Sequence, residues 1–298
     1  MIDETIEVAS VDQAFDAQTE WRAVLHCFAG EAEIAVSNVG DRGYDVEEAV
    51  DSLSSPTPPR SFPAKLLALL VTRFREGGRP LLFLPTELVA GNGRRLAQIL
   101  STLAIETRQS DAFRSWLAEH VVFADTLVDR IVSEAIEPVG AIAEPYALWA
   151  IRSGGFAEPF RHPALRLVDD LEPFERLKLH ILNLGHSVLA DQWLKRGLAP
   201  GETVREILAN REVERLLMDI YEKEVLPGFG LQGMASEAPP YVATTLERFQ
   251  NPFLNHRLAD IAQNHQVKIS IRIGGFLNWV RQRESRFAAP RLSEVLSS

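Results

Sequence analysis

Apolar and polar positions alternate from residue 5 to 11, the period of a half-buried strand, and from 14 to 27 Trp21, Val24 and Leu25 recur at helical spacing. Residues 33–38 predict a strand that ends in a polar loop at Ser37-Asn38. Strand, helix, strand is an α/β pattern. A loop dense in Ser and Pro follows over 52–63, then an amphipathic helix over 64–75 and a short buried strand over 80–84. From residue 94 the period changes and helices are predicted over 94–103, 111–120 and 123–133. Residues 144–151 and 165–168 read as extended, bracketed by Pro163 and Pro173. Helical spacing returns over 175–187, 203–209, 211–224, 241–249 and 257–265, with a break at Pro227-Gly228. Alternation over 267–272 predicts a late strand, and 274–298 carries no pattern that assigns it.

Two places in this pattern carry candidate chemistry. In a doubly wound sheet ligands lie beyond the carboxyl ends of the strands, which points to Ser37-Asn38 and Thr86-Glu87. The second place is 175–187. At about 100° per residue, with Lys178 at zero, Glu175 falls at ~60°, His186 at ~80° and Asn183 at ~140°. All four polar groups share one face, flanked by Leu177, Ile181 and Leu184. A desolvated lysine titrates closer to neutrality and can act as a general base, while an amide and an imidazole can bind a developing alkoxide. The chemistry suggested is the interconversion of an alcohol and a ketone. The competing reading is a surface helix with a Glu-Lys pair three residues apart.

Composition narrows the field. A chain of 298 residues, 46% hydrophobic and 24% charged, suits a globular protein of two domains. A net charge of −10 argues against nucleic acid or an anionic membrane as the main partner. The single cysteine, Cys27, cannot form an internal disulfide and, beside Val24, Leu25 and Phe28, is expected in the core. No Cys/His zinc cluster, no apolar run of about 20 residues and no basic leader is present, so a cytoplasmic protein is expected.

Lys178, Asn183 and His186 fill a K-x4-N-x2-H pattern, and with it the chain resembles the mannitol dehydrogenase family of zinc-independent polyol and hexuronate oxidoreductases. The likeness extends to residues 126–132, 88–93 and 248–252, in the family's order and over most of the chain. Residues 85–88 and 127–130 look closest to the tagaturonate reductase branch. The resemblance implies Lys178 as general base, Asn183 as donor to the reacting oxygen, His186 as a holder of a substrate hydroxyl and Glu175 on a proton path. It implies Arg248 as a partner of a sugar-acid carboxylate, with His256 nearby, and Asp129 at the cofactor and substrate cleft. Asn38, Glu87 and Asn92 stand on the cofactor side. The cofactor implied is NAD, with NADP left open, and the substrate a small polyol or sugar acid.

Two departures from the family qualify this. The glycine-rich G-x-G-x-F loop that would cradle a pyrophosphate is not in the chain, as though an opening βαβ unit of roughly 30 residues were missing, and poor affinity for NAD is expected. Leu88 stands where the family places a second amide donor. The expected fold is a partial Rossmann-like α/β domain over 1–90 and a mainly α-helical substrate and catalytic domain over 91–298. Rival readings are a sugar-acid-binding protein without dehydrogenase activity and a helical scaffold.

Overall fold

The computed structural model describes residues 4–40, 43–46 and 56–297, so residues 52–55 of the predicted Ser- and Pro-rich loop lie outside the described residues. The chain forms two compact units, one of Thr5–Val128 with Ala147–Leu171 and the other of Asp129–Tyr146 with Glu172–Ser298.

The first unit begins with α1 (Trp21–Ala29), β1 (Ile34–Ser37), α2 (Phe62–Arg75) and β2 (Leu81–Pro85), followed by α3 (Asn92–Glu106), α4 (Asp111–His120) and β3 (Val121–Phe123). The three strands form a parallel sheet in the order β1-β2-β3, with Ile34 opposite Leu82 and Leu81 opposite Val121. Ser61 caps α2 by accepting from the Ala64 N–H, and Ser110 caps α4 by accepting from Phe113. Leu66, Leu70, Phe83, Leu96, Leu100 and Phe113 fill the core. Arg73, fully buried, donates to the carbonyls of Phe28, Ala32, Arg79 and Pro80 and so ties α2 to the segments that lead into β1 and β2. The expected boundary at residue 90 falls inside this unit, because β3 pairs with the central strand β2 and α3 contributes to the same core.

Strands β4 (Thr126–Asp129), β5 (Val132–Ile136), β6 (Gly140–Ala143), β7 (Leu148–Arg152) and β8 (Leu165–Val168) come next. β4, β7 and β8 make a second small sheet, and β5 and β6 an antiparallel hairpin. In place of the helix predicted over 123–133 stand the end of β3, all of β4 and the start of β5. The run of β-branched and apolar residues suits a pleated surface, and neighbouring strands are there to pair with it.

Apart from the β5-β6 hairpin, the second unit is helical: α5 (Glu172–Leu177), α6 (Asn183–Arg196), α7 (Val204–Leu208), α8 (Arg211–Ile220), α9 (Leu226–Leu231), α10 (Ala238–Phe249), α11 (Leu258–Ile261), α12 (His265–Ile269), α13 (Gly275–Arg281) and α14 (Pro290–Leu296). Three single π-helical turns, Lys178–Leu182, Tyr221–Val225 and Ser270–Gly274, join α5 to α6, α8 to α9 and α12 to α13. Leu184, Val188, Leu217, Tyr221, Phe229, Phe276 and Leu292 form its core. The tail without a sequence pattern is anchored by Glu224, a buried carboxylate that accepts from the N–H groups of Arg291 and Leu292 at the start of α14.

Other expectations are corrected here. Residues 5–11 form no strand, and Ile6, Val8 and Val11 are exposed, since alternation without a neighbouring strand leaves the backbone nothing to pair with. The helix predicted from residue 14 begins only at Trp21, and Cys27 lies on its exposed side rather than in the core. Residues 267–272 are helical. Pro227 does not break its helix: it stands just after the π turn Tyr221–Val225, and the helix runs on through α9 to Leu231. Among the described residues no helix is long and apolar enough to cross a membrane.

Candidate active site

The helix that carries Lys178, Asn183 and His186 is widened at Lys178–Leu182, where the Asn183 N–H reaches back five residues to the Lys178 carbonyl. Single π turns of this kind concentrate at functional sites. Here the three widened turns brace one another. The Tyr221 hydroxyl donates to the Ile181 carbonyl at 3.0 Å, and His180 Nδ1 stands 2.9 Å from the Arg272 carbonyl, so that nitrogen carries the proton. Arg272 in turn donates to the Asn183 carbonyl at 3.3 Å and to Ser187 Oγ at 3.0 Å. Gly185 is required beside this contact, because a Cβ there would lie 2.0 Å from the Tyr221 hydroxyl oxygen.

Burial in this setting pushes the Lys178 ammonium down to about 8; Asp129 opposes the shift, and Arg248 and Arg272 add to it. His186 is buried, and Nε2 has no hydrogen-bond partner among the described residues. Desolvation holds its imidazole well below the usual value, helped by His256, Arg272, Arg248 and Lys178. Its ring packs 4.6 Å from Phe249 and 4.6 Å, edge-on, from His256. His256 is itself lowered to about 4 by burial, against the pull of Asp260. Asn183 and Glu175 are half-buried. The even spacing of about 100° assumed for this helix does not run through the widened turn, so the phase between Lys178 and Asn183 is set by the π geometry.

Arg248 and Asp129 sit differently from the expectation. The Arg248 guanidinium is buried and chelated: Nε lies 3.0 Å from both Glu144 carboxylate oxygens, and Nη2 lies 2.8 Å from Glu144 Oε1 and 2.7 Å from Asp129 Oδ1. Nη1 completes the fork at 3.1 Å from Asp129 Oδ2, and the group stacks 4.3 Å from the Tyr146 ring centroid. Asp129 also accepts from the Tyr241 hydroxyl at 2.6 Å, and Glu144 from the Ile131 N–H at 2.6 Å. The fork expected to receive a substrate carboxylate is held by two carboxylates of the chain, and Asp129, expected at the cofactor, is buried as part of that network. Glu144, Tyr241, Tyr221 and Arg272 are not legible as site residues in the sequence. A lone glutamate before Pro145 in an extended apolar stretch is the one sequence signal for any of them.

In the first unit Asn38 is exposed just beyond β1, while Glu87, beyond β2, is buried and accepts from the Val39 N–H and the Tyr44 hydroxyl, both at 3.1 Å. Asn92 is consumed by its own fold. Nδ2 donates to the carbonyls of Pro85, Glu87 and Thr126, and Oδ1 accepts from the N–H groups of Gly93 and Thr126. The next helical N–H, that of Arg94, is taken by Asp125. Gly93 lets α3 press onto the chain after β3, since a Cβ would lie 2.5 Å from the Ala124 carbonyl carbon. Leu88 is exposed. Neither Asn92 nor Leu88 can supply the second amide donor.

Residues 3–161 match the family model described as the mannitol dehydrogenase Rossmann domain, and residues 170–290 the one described as the mannitol dehydrogenase C-terminal domain. Altronate oxidoreductase of Bacillus subtilis (strain 168) is 28% identical over 295 residues, 91% of this chain and 60% of that protein. The protein of the same name from Yersinia pestis is 32% identical over 285 residues, 88% and 57% of the two chains. The chain therefore spans about three fifths of the length of these curated relatives. Two solved structures share the fold: Pseudomonas fluorescens mannitol 2-dehydrogenase in ternary complex with NAD and D-mannitol, with a TM-score of 0.74 and 17% identity over 94% of this chain and 61% of that one, and D-sorbitol dehydrogenase in substrate-free form, with 0.72, 19%, 94% and 62%. By the family model that spans residues 3–161, more than half of its length, the chain belongs to the mannitol dehydrogenase family.

Proposed function

We propose that this chain carries the proton-transfer machinery of an oxidoreductase that interconverts a secondary alcohol of a polyol or aldonate with the corresponding ketose or keto-acid, NAD being the hydride partner. The observation that carries the reading is Lys178, held near a pKa of about 8 in a π turn, with His186 buried nearby and its Nε2 unpartnered among the described residues. The names of the altronate oxidoreductases and of mannitol 2-dehydrogenase support the substrate class and the cofactor.

In the oxidation direction the neutral Lys178 amine takes the hydroxyl proton as the carbon gives up its hydride, and in reduction the ammonium returns it. Asn183, on the next turn, donates to the oxygen while it carries alkoxide charge. His186 is neutral at physiological pH and offers Nε2 to a second substrate hydroxyl. Arg248 serves by holding Asp129, whose charge favours the protonated lysine. Glu175 and His256 stand at the margin of this set.

The cofactor requires a separate test of fit. A dinucleotide pyrophosphate rests on unspent N–H groups at a helix amino terminus. At α3 the N–H groups of Gly93 and Arg94 are spent on Asn92 Oδ1 and Asp125 Oδ1, so that end of the helix does not fit the group. The proton steps need nothing from it. When bound, NAD would supply only the hydride acceptor.

Lys178→Ala tests the reading. Turnover of D-altronate or D-mannitol should fall by about 10²- to 10⁴-fold with the circular dichroism spectrum unchanged. In the unaltered chain, oxidation should rise with pH through about 8 as the amine deprotonates, and reduction should fall over the same range. Turnover of the alanine variant within about twofold of the parent would remove the assignment.

A further inference from the structure

At the ends of the first unit's strands, two arginines converge on one carboxylate. Asp125, just beyond β3, is buried, and Arg94 stands in the first turn of α3, the helix that follows β2. Arg152 ends β7, and all three residues belong to the same unit. Asp125 holds both arginines by their backbones: Oδ1 accepts from the Arg94 N–H at 3.0 Å, and its carbonyl accepts from the Arg152 N–H at 2.9 Å. The two side chains then meet at Oδ2, with Arg94 Nε at 2.7 Å and Arg152 Nη1 at 3.7 Å. They stay 68% and 46% exposed, against 4% for the Asp125 side chain, so the acid is covered while the guanidinium groups keep access to solvent. One negative charge answers two positive ones. Among the described residues, Nη1 and Nη2 of Arg94 and Nε and Nη2 of Arg152 meet no other acceptor. Arg95, the next residue, is exposed and adds a third cation, whereas the nearby Glu87 is buried with Val39 and Tyr44.

We propose that Arg94 and Arg152, braced on Asp125, form a binding site for a phosphate or diphosphate group. Ligands of parallel sheets lie beyond the carboxyl ends of the strands, and the end of β3 and the turn after β2 are where these residues stand. The helix end itself cannot serve, since the N–H groups of Gly93 and Arg94 are spent, so any anion here is met by side chains. Holding Asp125 does not account for the second arginine. An ion pair at 3.7 Å from a half-exposed guanidinium adds little stability. A phosphate brings close to two negative charges and three acceptor oxygens, enough for both planar forks, whereas a carboxylate fills one. Gly91, at φ +59°, keeps the approach open, because a Cβ there would lie 3.1 Å from Arg94 Nη2. A dinucleotide as the source of the phosphate rests on the oxidoreductase reading above; a free phosphate does not.

Titration calorimetry on the full chain at low salt, with inorganic pyrophosphate, NADH and NADPH as probes, tests this in Arg94→Gln and Arg152→Gln. Arg75→Gln is the control: it removes the same charge at the end of α2 that leads into β2, the opposite edge of the sheet. The parent should bind pyrophosphate, and each of the first two variants should weaken it by about tenfold while the control changes it by less than about twofold. A matching loss for NADH would make the dinucleotide's own diphosphate the source, and a loss confined to NADPH would make it the extra ribose phosphate. Weaker pyrophosphate with both dinucleotides unaffected would make it a free phosphate. All three uphold the site, and the last does so whatever Lys178→Ala shows about the oxidoreductase reading. If Arg94→Gln does not fold, Arg152→Gln decides alone, since its side chain stands beyond hydrogen-bond range of Asp125. A parent that does not bind pyrophosphate would overturn the proposal, as would unchanged affinity in either variant. The same loss in Arg75→Gln would also overturn it, because net charge would then be the whole effect.

Discussion

The two asparagines that begin helices in this protein, Asn92 and Asn183, show the difference between a polar group used for folding and one kept for chemistry. Asn92 is buried, and both ends of its amide are satisfied by five backbone groups, which lock α3 to the ends of β2 and β4. Asn183 follows a π turn and is half-buried, and the Arg272 bond to this residue goes to its backbone carbonyl. Other polar groups repeat the contrast: Glu87 and Asp125 are buried with partners, whereas His186 is buried with Nε2 unpartnered among the described residues. An unmet buried polar atom costs stability, and proteins retain such costs where binding repays them.

The largest effect expected from this contrast lies in the Arg248 network. Arg248→Met removes the cation that answers Asp129 and Glu144, both buried, and should cost about 3–5 kcal/mol in denaturant unfolding. A loss under about 1 kcal/mol would mean that the network is not structural and that Arg248 is available to substrate after all. Asn92→Leu should cost about 3 kcal/mol, since it strands the carbonyls and N–H groups that the amide serves. A near-neutral result would erase the distinction between the two asparagines.

The smallest effect has the opposite sign. Lys178 titrates at about 8 when folded and at 10.5 when exposed, so the unfolded chain binds its proton more tightly. This lysine therefore costs stability below pH 8, and the cost fades as pH rises from 8 towards 10.5. Lys178→Met should raise the melting temperature by about 3 °C at neutral pH and by almost nothing once the medium reaches the exposed lysine's own range. A lower melting temperature at neutral pH would place Lys178 among the structural groups, with Asn92.

Much of this is legible in the chain, and the gaps have physical causes. The parallel strands at Ile34–Ser37 and Leu81–Pro85 and the helix at Asp111–His120 follow from local period and caps, and local signals survive in the fold. The segment 123–133 misleads because a short apolar run has no period of its own, and strands there depend on neighbours distant in sequence. The π turns are invisible for a related reason. Two of the widened turns have a carbonyl met by another element, Ile181 by Tyr221 from 40 residues away and Arg272 by His180 from 92. Arg272 is hidden with them, since 267–272 reads as alternating until the helix is seen.

The sequence by itself determined the family, the residue types able to move a proton, and the α/β-then-helical order, because each of these is written in local pattern and in motifs such as Lys178, Asn183 and His186. Tertiary structure alone decided which of the polar groups are spent. Arg248 reads as a substrate ligand until Asp129 and Glu144, 119 and 104 residues away, close on it, and Asn92 reads as an open amide until the backbone of Thr126 arrives. Hydrogen-bonding capacity is a property of a residue type, whereas its consumption depends on partners that only folding brings within about 3 Å.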